Sequence, residues 1–78
     1  MPYYSVRITG DDCEAQAMEA SQIFNGRAAD YTGSVHFFYV QRGHSLEMLK
    51  MNVESVVGDE CEVEVKKITK SEYNWKSR

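Results

Sequence analysis

Eight consecutive residues, Ser34 to Gln41 (S-V-H-F-F-Y-V-Q), form the one continuous aromatic and β-branched run in the chain. A run of that composition and length reads as a central strand. Side chains alternate across a strand, so Val35, Phe37 and Tyr39 share one face while His36, Phe38 and Val40 share the other. Both faces are apolar, and neither reads as an ordinary solvated face. Any fold that contains this strand must bury one face in its core and give the other a cover as well. With Val35, Phe37 and Tyr39 taken as the core set, the polar His36 points outward, and His36, Phe38 and Val40 are either covered by Tyr73 and Trp75 of the C-terminal tail or, as the favoured reading, become a partner surface.

The elements around this strand follow from periodicity. Tyr3 to Thr9 alternates, with Tyr4, Val6 and Ile8 on one face and Tyr3, Ser5, Arg7 and Thr9 on the other, as in a half-buried strand. Gly10 breaks it, and Asp11 with Glu14 three residues on has capping-box spacing for a helix running to about Asn25, after which Gly26 suits the left-handed closing position. Arg27 to Tyr31 is either a short strand, paired through Thr32-Gly33 with the central one, or a loop. Ser45 caps a second helix carrying Leu46, Leu49, Val53 and Val56 at helical spacing. Met48 and Met51 beside them read most simply as core filler, or at a helix edge as an adaptable binding surface, and Gly58 ends the helix. Glu60 to Ile68 is a last strand, with Cys61, Val63 and Val65 alternating against Glu60, Glu62, Glu64 and Lys66.

The order β-α-β-β-α-β predicts a ferredoxin-like α+β two-layer sandwich over residues 1–70, an antiparallel sheet with two helices on one face, followed by a basic C-terminal tail at 71–78. The alternative, without the Arg27–Tyr31 strand, is a three-stranded β-α-β-α-β unit. With the first and third strands taken as parallel, Gly10–Cys13, Gln41–Ser45 and Asp59–Cys61 are expected at one end of the sheet. That end would gather Asp11, Asp12, Glu14, Asp59 and Glu60 with Arg42 and His44, and bring both cysteines close.

Composition narrows the function classes. A 78-residue chain buries only roughly 60% of its unfolded surface, and a cleft of roughly 300 Å³ or more is hard to carve from it without losing the core. The expectation is a non-enzymatic protein with no catalytic residue, cofactor or metal. First-turn acids such as Asp11 and Asp12 complement a helix dipole without doing chemistry, and His36, His44, Cys13 and Cys61 lack zinc-ligand spacing. A phosphocarrier of the HPr-like open-sandwich type needs a histidine in the first strand-to-helix turn, and Gly10-Asp11-Asp12-Cys13 has none. No apolar run approaches the roughly 20 residues of a membrane span. The start Met1-Pro2-Tyr3-Tyr4 shows no basic-then-apolar leader. Two distant cysteines outside any C-x-x-C pair suit a reducing compartment, so a cytoplasmic location is expected.

The net charge of −3 conceals an asymmetry. Residues 1–65 carry eleven acids against four bases, a charge of −7, whereas residues 66–78 carry five bases against one acid, a charge of +4. Glu60, Glu62 and Glu64 stand roughly 6.6 Å apart along one strand face, near the spacing of phosphates on a nucleic-acid strand. An acidic row of this kind fits a basic groove built for nucleic acid, although such rows also keep edge strands from pairing. The expected partner surface is therefore His36, Phe38 and Val40 together with Glu60, Glu62, Glu64, Asp11 and Asp12. The partner is a larger protein, in its narrowest form a nucleic-acid-processing machine inhibited in the manner of a phage anti-defence or anti-CRISPR protein, or a second copy in a homodimer. The alternative is single-stranded nucleic-acid binding through the sheet aromatics and basic tail. RNA-recognition domains share this element order and stack bases on third-strand aromatics, but Gly33 to Val40 does not match their signature and the acidic body disfavours phosphate.

Overall fold

The computed structural model describes residues 2–30, 33–41 and 45–76. The chain is α+β, with elements in the order β1 (Tyr3–Thr9), α1 (Glu14–Ile23), β2 (Arg27–Asp30), β3 (Val35–Gln41), α2 (Leu46–Val57), β4 (Glu62–Ile68) and α3 (Lys70–Lys76). The four strands form one open sheet in the order β2-β3-β1-β4, and every neighbouring pair is antiparallel. The Arg27 segment is thus a strand, which removes the three-stranded alternative. Arg42, His44, Tyr31 and Thr32 lie outside the described residues.

Register decides which face of the sheet is the core. Tyr4, Val6 and Ile8 of β1 stand opposite Val40, Phe38 and His36 of β3, and Val6 and Ile8 stand opposite Val65 and Val63 of β4. Directly opposed residues share a face. This face is buried in one cluster with Ala17, Ala20 and Phe24 from α1 and Leu49, Val53 and Val57 from α2. The expected core set of β3 is therefore reversed. Phe38 and Val40 are fully buried and His36 is 1% exposed, while Val35, Phe37 and Tyr39 lie half-buried on the opposite, open face. His36, Phe38 and Val40 cannot form a partner surface, because β1 and β4 each have a single apolar face and β3 must align its buried face with theirs.

Antiparallel pairing corrects one part of the expected convergence: the segments Gly10–Cys13 and Asp59–Cys61 do meet, with both cysteines together, but Gln41 does not join them. Gly10 N–H donates to the Ser34 carbonyl at 3.0 Å, so the end of β1 meets the start of β3. Gln41 stands instead at the far end, paired with Tyr3. What Gly10 does meet is the turn before β4. A Cβ at Gly10 (φ +152°) would lie 2.8 Å from Cys13 Sγ and 3.2 Å from the Glu60 carbonyl oxygen, so this close approach admits only glycine.

At that end Cys13 and Cys61 form a disulfide, with S–S 2.05 Å, which overturns the expectation of two separate thiols. It ties the start of α1 to the start of β4 across 48 residues, and loop-closure entropy puts its contribution on the order of 4 kcal/mol. Local readings shift as well. Cys13, not Asp11, is the N-cap of α1, and it makes no side-chain cap bond. Asn25 (φ 55°) takes the left-handed position, while Gly26 is required for space, since a Cβ there would stand 2.6 Å from Phe38 Cδ2. Ser45 Oγ does cap α2, accepting from Met48 N–H at 3.2 Å.

Residues 70–76 are a helix and not simply a polar tail. Thr69 Oγ1 accepts from Glu72 N–H at 3.1 Å, the N-terminal half of a T-x-x-E capping box. Tyr73 is buried and its ring lies 4.8 Å from that of Tyr3. α3 packs on β1 and accounts for the burial of Ile68, which otherwise shares the open face with Tyr3.

Candidate functional site

The open face follows from the registers. Along β3 run Val35, Phe37 and Tyr39; along β1, opposite them, Thr9, Arg7 and Ser5; along β4, Glu62, Glu64 and Lys66. On the other side β2 sets Asp30 opposite Phe37 and Arg27 opposite Tyr39, with a register irregularity between them. The central strand thus carries two aromatic rings at alternate positions, flanked on both sides by charged residues of both signs. Arg7 Nη2 reaches Glu64 Oε2 at 3.2 Å across β1 and β4, and both side chains are exposed, so the pair contributes little stability.

α3 completes the surface. Trp75 is 69% exposed and borders an open groove of about 620 Å³ lined by Asp30, Phe37, Tyr39, Trp75 and Lys76. Lys76 Nζ pairs with Glu72 Oε2 at 3.0 Å, one helical turn back. That hydrogen bond, and then the charge of Glu72, hold the Lys76 ammonium above its ordinary lysine range. A second hollow of about 410 Å³ lies along β4, where Lys50 and Glu54 of α2 join Asp59, Glu62 and Glu64. Its polar, mixed-charge lining is the reverse of an apolar ligand pocket.

The residues expected to form the surface divide into three groups. His36, Phe38 and Val40 are in the core. Glu62 and Glu64 are exposed on the open face, beside Arg7. Asp11, Asp12 and Glu60 are exposed in the turns at the disulfide end, away from the aromatic groove. Missing from the expected surface are Phe37, Tyr39 and Trp75. The signal that finds the first two is the polar face of β1, since whichever face of β3 aligns with Ser5, Arg7 and Thr9 must be the open one. Met48 (49% exposed) and Met51 (65% exposed) are not core filler; they lie on the outer side of α2.

Among the described residues no group of histidine, cysteine, aspartate or glutamate is arranged to hold a metal ion, and no helix is long and apolar enough to cross a membrane. Comparison with family models, with curated proteins and with solved structures finds no match.

Proposed function

We propose that this chain is a non-enzymatic interaction module, a small ferredoxin-like domain that docks on a larger protein through its open sheet face. The observation that carries this reading is the groove bordered by Phe37, Tyr39 and Trp75, three aromatic side chains on a face that, among the described residues, has no covering layer beyond α3. Rigid aromatic side chains at a partly dry centre with charged residues around them are the composition of a protein-binding patch. In its narrower form the partner is a nucleic-acid-processing protein, whose basic groove Glu62 and Glu64 would enter beside the aromatics. Arg7 already compensates part of that charge, so the aromatic residues carry most of the affinity in either form. The test is capture of a partner from a plausible host lysate by wild type and by Phe37→Ser/Trp75→Ser, with unfolding temperatures measured in parallel. The reading expects capture to drop at least tenfold while the variant remains folded; undiminished capture overturns it.

One observation favours a second reading. Phe37 and Tyr39 repeat at alternate positions of a central strand, with Arg7 and Arg27 on the flanking strands and Lys66 on β4 beyond β1, an arrangement suited to stacking successive bases of a single strand. Trp75 fluorescence titrated with an oligonucleotide across a salt series separates the two. Phosphate-driven binding weakens steeply as salt rises, and absence of any binding at low salt removes this reading.

A further inference from the structure

The two edges of the sheet differ. β2 is four residues long and irregular in register, features that blunt an edge against pairing. β4 is seven residues long, regular against β1 throughout, and among the described residues has no strand on its other side. Its outward row of backbone N–H and C=O groups is a template for another strand.

We infer that β4 is a self-complementary edge through which two copies of this chain join, antiparallel, into one continuous eight-stranded sheet. The warrant is the order of charges along Glu62-Val63-Glu64-Val65-Lys66-Lys67-Ile68. A two-fold axis perpendicular to the sheet keeps the open faces of both copies on the same side. Opposed residues must then share a face, so only registers centred on a residue are allowed. Centring on Glu64 opposes Glu64 to itself, centring on Lys66 opposes Lys66 to itself, and centring on Val63 opposes Glu62 to Glu64 twice. Each of these sets like charges against one another. Centring on Val65 instead overlaps all seven residues, opposes Val65 to Val65, and places Glu64 of each copy opposite Lys66 of the other.

The charges that discourage random pairing therefore admit one register. Arg7 occupies Glu64 Oε2, and a carboxylate accepts more than one donor, so the same side chain can hold Arg7 and Lys66 of the second copy. The same register brings Lys70, at the start of α3, toward the acidic segment Asp59 to Glu62 of the other copy. The −7 body and +4 terminal segment then meet across the axis. This inference does not rest on the open-face reading, because an edge dimer leaves Phe37, Tyr39 and Trp75 uncovered in both copies.

Sedimentation over a concentration series tests it, on wild type, Glu64→Lys, Lys66→Glu, the double swap Glu64→Lys/Lys66→Glu, and Phe37→Ser, with thermal unfolding as the folding control. Wild type should dimerise, and each single reversal should weaken dimerisation at least tenfold by opposing like charges twice. The double swap should recover it, and Phe37→Ser should leave it unchanged. A wild type that stays monomeric up to millimolar concentration overturns the inference. So do single reversals without effect, or a double swap no better than the singles. A dimer abolished by Phe37→Ser would place the contact on the open face and overturn the edge assignment.

Discussion

Phe37 and Phe38 are adjacent and chemically identical, yet one is half-buried beside solvent and the other is completely enclosed. The two faces of β3 differ little in sequence: Val, Phe and Tyr on one, His, Phe and Val on the other. What separates them is their neighbours. β1 presents Tyr4, Val6 and Ile8 on one side and Ser5, Arg7 and Thr9 on the other, and β4 presents valines on one side and Glu62, Glu64 and Lys66 on the other. A two-sided apolar strand takes its core face from strands that have only one, and its remaining aromatics become surface. His36 accordingly goes inside with Phe38 and Val40, while Tyr39, with a hydroxyl to hydrate, stays outside.

The largest effect that could break this comparison is on stability. Phe38→Ala should cost about 3–5 kcal/mol through lost burial and the cavity left behind, whereas Phe37→Ala should cost under about 1.5 kcal/mol. Equal losses in denaturant unfolding would erase the distinction between the faces. Next comes the crosslink beneath the buried face. Cys13→Ser/Cys61→Ser should lose about 4 kcal/mol, reproduced in the wild type by a thiol reductant strong enough to open a buried bridge, and a change under about 1 kcal/mol would show that the bridge adds nothing to the fold. Gly26→Ala sharpens the comparison from the core side. Its methyl would press on Phe38 and should cost about 1–3 kcal/mol by overpacking, while a neutral result would mean that the Phe38 ring has room to move.

The smallest effect belongs to α3. The raised Lys76 pKa means that its pairing with Glu72 stabilises α3 below the ordinary lysine range and is lost as pH rises through the folded value. Circular dichroism should show no change in α3 between pH 6 and 8, and slight fraying only at strongly alkaline pH. Fraying already at neutral pH would contradict the pairing.

How much of this is legible in the chain depends on how local each signal is. The alternation of β1, the Ser45 cap of α2 and the alternation of valines with charged residues in β4 are local, and they appear in the structure where the residues place them. The Thr69-Lys70-Ser71-Glu72 cap of α3 is equally local and is visible once helix starts are sought in the tail. The buried face of β3 is not local, because it depends on a register with β1 that the run from Ser34 to Gln41 does not contain. The disulfide is legible in part: the antiparallel return of β4 beside β1 already places Cys13 and Cys61 close although they are 48 residues apart, but their spacing outside any C-x-x-C pair does not show that they are bonded. The aromatic groove proposed for docking inherits the first difficulty, since Phe37, Tyr39 and Trp75 share it only once the face of β3 is settled and α3 has formed.

Hydroxyl-radical footprinting of the native protein, read residue by residue by mass spectrometry, tests the two-faced sheet most directly and needs no partner. The structure predicts that Trp75, Tyr39 and Phe37 are oxidised rapidly and Phe38 at least several-fold more slowly, in proportion to their exposure. Phe38 modified as fast as Phe37, or Trp75 protected in the isolated chain, would contradict it.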